Sequence, residues 1–446
     1  MNVESILKEN VFKVWSHFVV ASVVGVLFNA LYTMVDGIFV GQSVGEAGLA
    51  SINLAWPAVT VILGIGSMLG IGASSMISIH LGQKQHAEAE KILGTVFKAC
   101  IIIGTILTIG GILTADTVVR ILGATEDTFQ YTKDYYIIIY LLAIPYILST
   151  TFNPIVRADG NPKLSMIMVG VGAVGNIILD WLFVMVLGWG VKGAALATGA
   201  GILLSTLCGL YYFVYGKANI KLKKVNFNIN KGILKSIFKI GFVSFAMQIS
   251  IGIVLLIQNN IIYTYGTTTD VAIYSVSGYI ISLYTQVALG IAQGMQPLIG
   301  YHYGAELFVR MKKILTTTIV ACFILGLVCY SILWIWGYPI ISIFGLEGAT
   351  LDIAYRRILI YCAGLPAIGI IFSMGAYYQS VMKNLQANIV TITRACVLQI
   401  LFSLVLPSIM GVEGVFFSQC LADITSIFVL LIIVMIERRK DLKIIK

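Results

Sequence analysis

A dozen apolar stretches, each about 20 residues or longer, run through this chain with short polar breaks between them. Stretches of that length cross the hydrocarbon of a bilayer as α-helices, whereas a barrel strand needs only about 10 residues. In lipid only helices and closed barrels satisfy their own backbone, so the length of the runs selects an all-α integral membrane protein. Composition removes the soluble alternative: hydrophobic residues are 59% and charged residues 11% of 446, with a mean hydropathy of +0.95. No water-soluble fold buries that much.

The breaks place six spans near 14–40, 51–80, 92–114, 134–157, 164–188 and 193–215, and six more near 237–264, 271–302, 313–336, 355–381, 387–409 and 413–436. The expected architecture is twelve transmembrane helices in two six-helix lobes, an N-lobe over 1–215 and a C-lobe over 237–446, joined by a Lys-rich linker over 216–236. The first apolar run has span length rather than the short core of a cleaved signal, and the residues before it are polar.

Lys and Arg bias loops to the cytoplasm. With the N-terminus inside, 24 of the 29 basic residues fall on the inner side, and only Arg120, Lys133, Lys192, Arg356 and Arg357 fall outside. Both termini are therefore expected in the cytoplasm, and the formal charge of +9 reads as topology rather than as a nucleic-acid signal. Seven linker lysines (217, 221, 223, 224, 231, 235 and 239) belong to this pattern. They suit a solvated connector, or an amphipathic helix touching anionic headgroups.

The chain also repeats itself. His80-Leu81-Gly82 returns as His302-Tyr303-Gly304, Gly72 as Gly294 and Gly123 as Gly345, at an offset of 222. After a one-residue slip, Tyr140 and Pro145 return as Tyr361 and Pro366, and Gly190-Val191-Lys192-Gly193 as Gly411-Val412-Glu413-Gly414. Six spans per copy preserve orientation, so a pseudo-two-fold axis along the membrane normal is expected to relate the lobes around a central cavity.

Two acids stand out against this background. Asp36 lies in the first span, and Asp180 interrupts the fifth with Asn176 one helical turn before it. A carboxylate inside a span is costly and is a functional-site candidate by default. The repeat makes them more telling, because Asp36 corresponds to Gln258, Asp180 to Leu401, Asn176 to Val397 and Thr198 to Gln419. The C-lobe thus has no acids at the positions equivalent to this pair. Asp36 and Asp180 lie ~6 and ~12 Å from the outer ends of their spans at 1.5 Å per residue, and Thr198 lies at similar depth, so spans 1, 5 and 6 can meet there. Two carboxylates, an amide oxygen and a hydroxyl suit a hard cation such as Na⁺, and equally suit protons, since neighbouring buried carboxylates do not both ionise cheaply. The structural alternative is polar side chains gluing helices together.

Asp423, in the last span, is a further deep acid. On the cavity it would attract a cationic substrate or bind a proton; packed against Gln399 or Thr425 it would be structural. Tyr32, Tyr140, Met247, Gln258, Tyr274, Tyr284, Gln286 and Met295 are candidate cavity-lining residues, because aromatics and flexible methionines accommodate varied cationic amphiphiles. Each also reads as plain helix packing.

Taken in order along the chain, several segments resemble the multidrug and toxin extrusion (MATE) transporters, of the prokaryotic NorM-like and DinF-like kind. These are Val35-Asp36-Gly37-Ile38-Phe39-Val40-Gly41, His80-Leu81-Gly82, Arg157-Ala158-Asp159-Gly160-Asn161-Pro162, Asn176-Ile177-Ile178-Leu179-Asp180 and Gly190-Val191-Lys192-Gly193-Ala194-Ala195. The resemblance covers essentially the whole chain. It implies a prokaryotic inner-membrane antiporter, not an enzyme, that exports organic cations or amphiphiles as Na⁺ or H⁺ enters, with no cofactor and acting as a monomer among membrane lipids. It also implies an N-lobe cation site at Asp36, Asn176, Asp180 and Thr198. Many members carry proline near the middle of spans 1 and 7, where this chain has Ala21 and Val243, and some carry C-lobe acids in spans 7 and 10, where this chain has none.

Other patterns carry less. Gly170-Val171-Gly172-Ala173-Val174-Gly175 spells a dinucleotide fingerprint but lies inside an apolar span, where close helix packing is the better reading, as it is for Gly66 and Gly70. The four histidines have no ligand spacing, and the seven cysteines read as small apolar fillers. A lipid-linked oligosaccharide flippase of related architecture is the alternative function. It would want a basic cavity, and Arg394 near the inner end of span 11 is the one arginine placed for it. An intramembrane enzyme would need convergent acid-base or metal residues that the spans do not offer.

Overall fold

The computed structural model describes residues 3–223 and 229–444. A short helix α1 (Val3–Lys8) precedes α2 (Val11–Val44), α3 (Glu46–Gly82), α4 (His86–Ile121), α5 (Glu126–Leu141), α6 (Ala143–Ala158), α7 (Pro162–Asp180, prolonged by a π-helical turn over Trp181–Val186) and α8 (Gly190–Val214). The second half runs α9 (Lys231–Tyr265), α10 (Thr268–Gly304), α11 (Phe308–Ser342), α12 (Gly348–Cys362), α13 (Leu365–Ser380), α14 (Asn384–Ile392), a π-helical turn over Thr393–Leu398, α15 (Gln399–Met410) and α16 (Val412–Ile444). Among the described residues eleven segments are long and apolar enough to cross a bilayer, and the pair α5–α6, bent by 60°, makes a twelfth. The expected all-helical, twelve-span architecture is therefore the observed one.

Helices outrun the apolar runs that betray them, because polar end residues continue the hydrogen-bond ladder up to a cap. The first span is one unbroken helix from Val11 to Val44, started by the Asn10 side chain, which accepts from the backbone of Phe12 at 2.9 Å. It needs no proline and shows no break at Ala21. Asn230 likewise caps α9, accepting from Gly232 and Ile233, so the last part of the expected linker is already helix. Residues 224–228 of that linker, Lys224 among them, lie outside the described residues, and with them part of the choice between solvated connector and headgroup helix. The preceding part is docked on the N-lobe. Asp159 accepts hydrogen bonds from Tyr212 (2.6 Å) and from the backbone of Asn219 (2.9 Å) and Ile220 (3.1 Å), with Ile220 fully buried. Burial pushes the Asp159 carboxyl up to about 7 against the pull of those donors.

The duplication read from the sequence recurs in the backbone. Lys84 and Glu306, repeat-equivalent residues that are not glycine, both take positive φ (61° and 58°), as do the equivalent pairs Gly123 and Gly345 (87° and 79°) and Gly190 and Gly411 (54° and 61°). The fourth span of each lobe is interrupted at equivalent places, Leu142 between α5 and α6 and Ala363 between α12 and α13.

Contacts between the lobes have the reciprocity of a two-fold arrangement. A methyl group built on Gly82 would lie 2.3 Å from the Tyr301 carbonyl, and one on the equivalent Gly304 would lie 2.1 Å from the carbonyl of Ile79, the residue equivalent to Tyr301. At Gly241 the approach is tighter still, 1.9 Å from the Met68 carbonyl. Only glycine permits such backbone contact between helices. Side chains add to it: Trp15 donates to Thr318 (2.8 Å), Arg157 to Gln293 (3.1 Å), Tyr301 to the Ala158 carbonyl and Arg310 to the Glu9 carbonyl.

All these contacts lie in the half of the molecule that carries the termini. In the other half of the same helices, Gly37, Gly252 and Gly278 have nothing within 4 Å of where a methyl would go. The tightest backbone contacts between the lobes therefore lie on the terminal side. The set-aside glycines behave as packing residues: Gly172 meets the Gly201 carbonyl at 2.9 Å, Gly66 meets Thr150 and Gly70 meets Pro154.

Candidate functional site

Asp36 on α2, Asn176 and Asp180 on α7, and Thr198 on α8 come together inside the N-lobe. The α7–α8 pairing is made close by Gly172 and Gly201, the latter lying against Asn176 itself. All four side chains are buried, Asp180 completely and Asp36 to 8% exposure. The carboxyl groups of Asp36 and Asp180 face one another closely enough to interact directly, and Asn176 donates through Nδ2 to Thr198 Oγ1 at 3.4 Å. Four oxygens of the cluster have no protein donor: Asp36 Oδ1, Asn176 Oδ1 and both of Asp180. Buried acceptors are rarely left unpaired, and a carboxylate left so is costly. Oxygen-only groups of this kind fit a small hard cation or a proton. Among the described residues no cluster of His, Cys, Asp or Glu suits a transition metal.

Two residues not singled out from the sequence lie near the cluster. Tyr135 and Tyr146, both buried, lie with half-buried Tyr32 within electrostatic reach of Asp36. Eleven residues, about three turns of a regular helix, separate them, and the 60° bend between α5 and α6 lies in that interval.

The expected cavity lining is corrected in several places. Tyr32, Met247 and Gln286 are half-buried and compatible with it. Tyr140 is packed inside the N-lobe, stacked on Tyr136 at 4.2 Å and donating to the Ala58 carbonyl at 3.1 Å. Met295 is fully buried, and Tyr284 is buried and donates to the Cys322 carbonyl at 3.2 Å. Gln258, the counterpart of Asp36, accepts from Tyr274 and donates to Ser403 at 3.2 Å, so both are enclosed in a neutral network with Ser418. These side chains spend their polar atoms on the lobe itself.

Asp423 is corrected in the same way. It is fully buried, and its Oδ1 is 2.7 Å from Arg394 Nε, while Gln419 donates to Oδ2 at 3.0 Å. Arg394, on the π-helical turn between α14 and α15, also lies over the Phe372 ring at 5.3 Å. The acid's charge is matched inside the lobe, and its partner is Arg394 rather than Gln399 or Thr425. The same pairing removes Arg394 as a free anion-binding group.

Comparisons with known proteins agree with this architecture. The MatE family model matches residues 21–182 and again 240–405, one match in each lobe. The multidrug export protein MepA of Staphylococcus saprophyticus is 28% identical over 434 residues, covering 97% of this chain and 95% of its own. MepA of Staphylococcus aureus strain NCTC 8325 is 28% identical over 421 residues, covering 93% and 92%. A solved structure described as the outward-facing conformation of a multidrug resistance MATE family transporter of the MOP superfamily superposes with a TM-score of 0.89 at 22% identity, covering 96% of each chain. With the two matches together spanning most of its length, this chain belongs to the MatE family.

Proposed function

We propose that the chain is a multidrug efflux antiporter of a prokaryotic plasma membrane, exporting organic cations or amphiphiles through the gap between its lobes while Na⁺ or H⁺ enters through the N-lobe acid pair. The observation that carries this reading is the set of four buried oxygens without a donor at Asp36, Asn176 and Asp180. With the basic loops and termini in the cytoplasm, the closely packed side of the lobes faces inward, and the ion comes to the site from the outer side. Its binding discharges buried negative charge there and biases the two-state equilibrium of the lobes, which weakens the hold on substrate. Export of substances related to those handled by MepA fits the family. The flippase alternative loses its one basic cavity group, because Arg394 is committed to Asp423.

The test uses protein reconstituted in vesicles with a fluorescent organic cation. Efflux should follow an imposed Na⁺ or pH gradient and fall to background in Asp36→Asn, with folding intact. Undiminished coupled efflux in that variant removes the acid pair from the mechanism, and swapping the two gradients identifies the ion.

A further inference from the structure

We propose that the coupling cation reaches the acid pair through its own port on the outer face of the N-lobe, separate from the chamber between the lobes, with Asp134 as the capturing carboxylate and Lys192 as its competitor. The inference rests on the antiport reading above. A pocket of about 530 Å³ opens at the far end of the N-lobe, lined by the end of α2 (Ser43, Val44), one face of α5 (Gln130, Tyr131, Asp134) and the Gly188–Lys192 turn. Asp134 accepts from Gln130 at 2.9 Å on one oxygen and lies 3.2 Å from Lys192 on the other. The lysine is more than half exposed, so this pair is loosely held and a small cation competes with the ammonium for the carboxylate.

The pocket stands directly over the site along the chain. Seven residues lead from Asp36 to Ser43 and eight from Asp180 to Gly188, roughly 10–12 Å at 1.5 Å per residue, while Asp134 of the pocket immediately precedes Tyr135. Between pocket and site lies a thin apolar layer. Val40 is four residues beyond Asp36, Val184 four beyond Asp180, and Val191 seven before Thr198; all three are essentially fully buried. Val184 belongs to the π-helical turn, a geometry that interrupts the regular ladder and often marks a functional position. Ser43 on α2 donates to the Val184 carbonyl of the turn at 3.4 Å, a long hydrogen bond.

The equivalent place in the C-lobe is built to stay shut. Glu413 occupies the position of Lys192, and it shares Arg357 with Asp270 in a three-way cluster, Glu413 Oε1 lying 2.8 Å from Arg357 Nε. Arg357 is only 13% exposed and lies over Phe416 at 5.3 Å. Among the described residues, beneath that cluster lies the neutral Gln258 network and no acid pair.

In vesicles with the ion applied on the outer side, Na⁺ titrated at fixed pH and pH titrated at fixed Na⁺, Asp134→Asn should raise the half-saturating cation concentration on the order of threefold. Lys192→Met should lower it by a similar factor. Maximal rate and half-saturating substrate should stay unchanged in both. The second arm is Val184→Cys in the full chain, labelled from outside with a small cationic thiol reagent against the native background, with and without saturating organic cation in the chamber. Labelling that persists with the chamber occupied supports the port. Labelling that disappears on occupation, or no labelling, together with unchanged half-saturation in both charge variants, overturns it. If Asp36→Asn abolishes efflux while Asp134→Asn and Lys192→Met change nothing, the port falls and the antiport reading stands.

Discussion

The two lobes share one backbone plan and differ in what they do with charge. In the N-lobe, Asp36 and Asp180 meet with oxygens that no protein group satisfies. At the equivalent place the C-lobe has Gln258, whose amide is used up by Tyr274 and Ser403, and its deep acid Asp423 is cancelled by Arg394. The fold tolerates both solutions because the same helix frame supports them. On the proposed function a mobile ion completes the unsatisfied acid pair, whereas the internally matched pair is structure. Position within a duplicated fold therefore predicts depth and neighbourhood but not role.

The comparison breaks most visibly under loss of the N-lobe charge. Asp180→Asn should reduce coupled efflux to background, as Asp36→Asn does, while Asp423→Asn made together with Arg394→Gln retains measurable coupling; equal losses in the two lobes would erase the distinction. The next effect is on stability. Arg394→Met strands a buried carboxylate and should cost about 3–5 kcal/mol, whereas Arg394→Met combined with Asp423→Leu should recover most of it. Denaturation in detergent micelles reads this double-mutant cycle, and additive losses would mean that the two side chains are not a matched pair.

Moving an acid into the C-lobe frame sharpens the contrast further. Gln258→Asp should destabilise by about 1–3 kcal/mol, the cost of leaving buried polar groups of that network without their partners, and should fail to restore efflux to Asp36→Asn. Rescue would show that either lobe can host the ion. The last effect concerns the linker anchor, where Asp159 corresponds in the repeat to Ser380, which donates to the Gln296 carbonyl at 3.0 Å. Since burial raises the Asp159 carboxyl to about 7, the folded state holds its proton more tightly than the unfolded one. Stability should then fall as pH rises from about 4 to about 7, by at most ~1.4 kcal/mol per pH unit, and level off above. Melting of Asp159→Asn across that range should lack this slope.

Much of this was legible in the chain before any coordinates. Lipid requires each span to satisfy its backbone locally, so hydropathy alone located twelve spans, and the six-span repeat reappeared as matching positive-φ residues such as Lys84 and Glu306. The confinement of deep acids Asp36 and Asp180 to one lobe was visible too, as were their common depth and the polar residues Asn176 and Thr198 that accompany them. Side-chain rotation about a helix axis was not legible. In a uniformly apolar span no amphipathic stripe says which face turns inward, so Tyr140, Tyr284 and Met295 read as cavity lining although they are packed within the protein.

The amino-acid order by itself determined the helical membrane fold and its duplication, because those depend on each segment's exchange with lipid and water. Only the tertiary structure decided which deep charges meet. Asp36 finds Asp180 across two helices, Asp423 finds Arg394 across another two, and the lobes close on the terminal side through contacts such as Gly241 on Met68. These pairings are long-range results of helix packing, set by close backbone approach and side-chain fit between segments far apart in the chain.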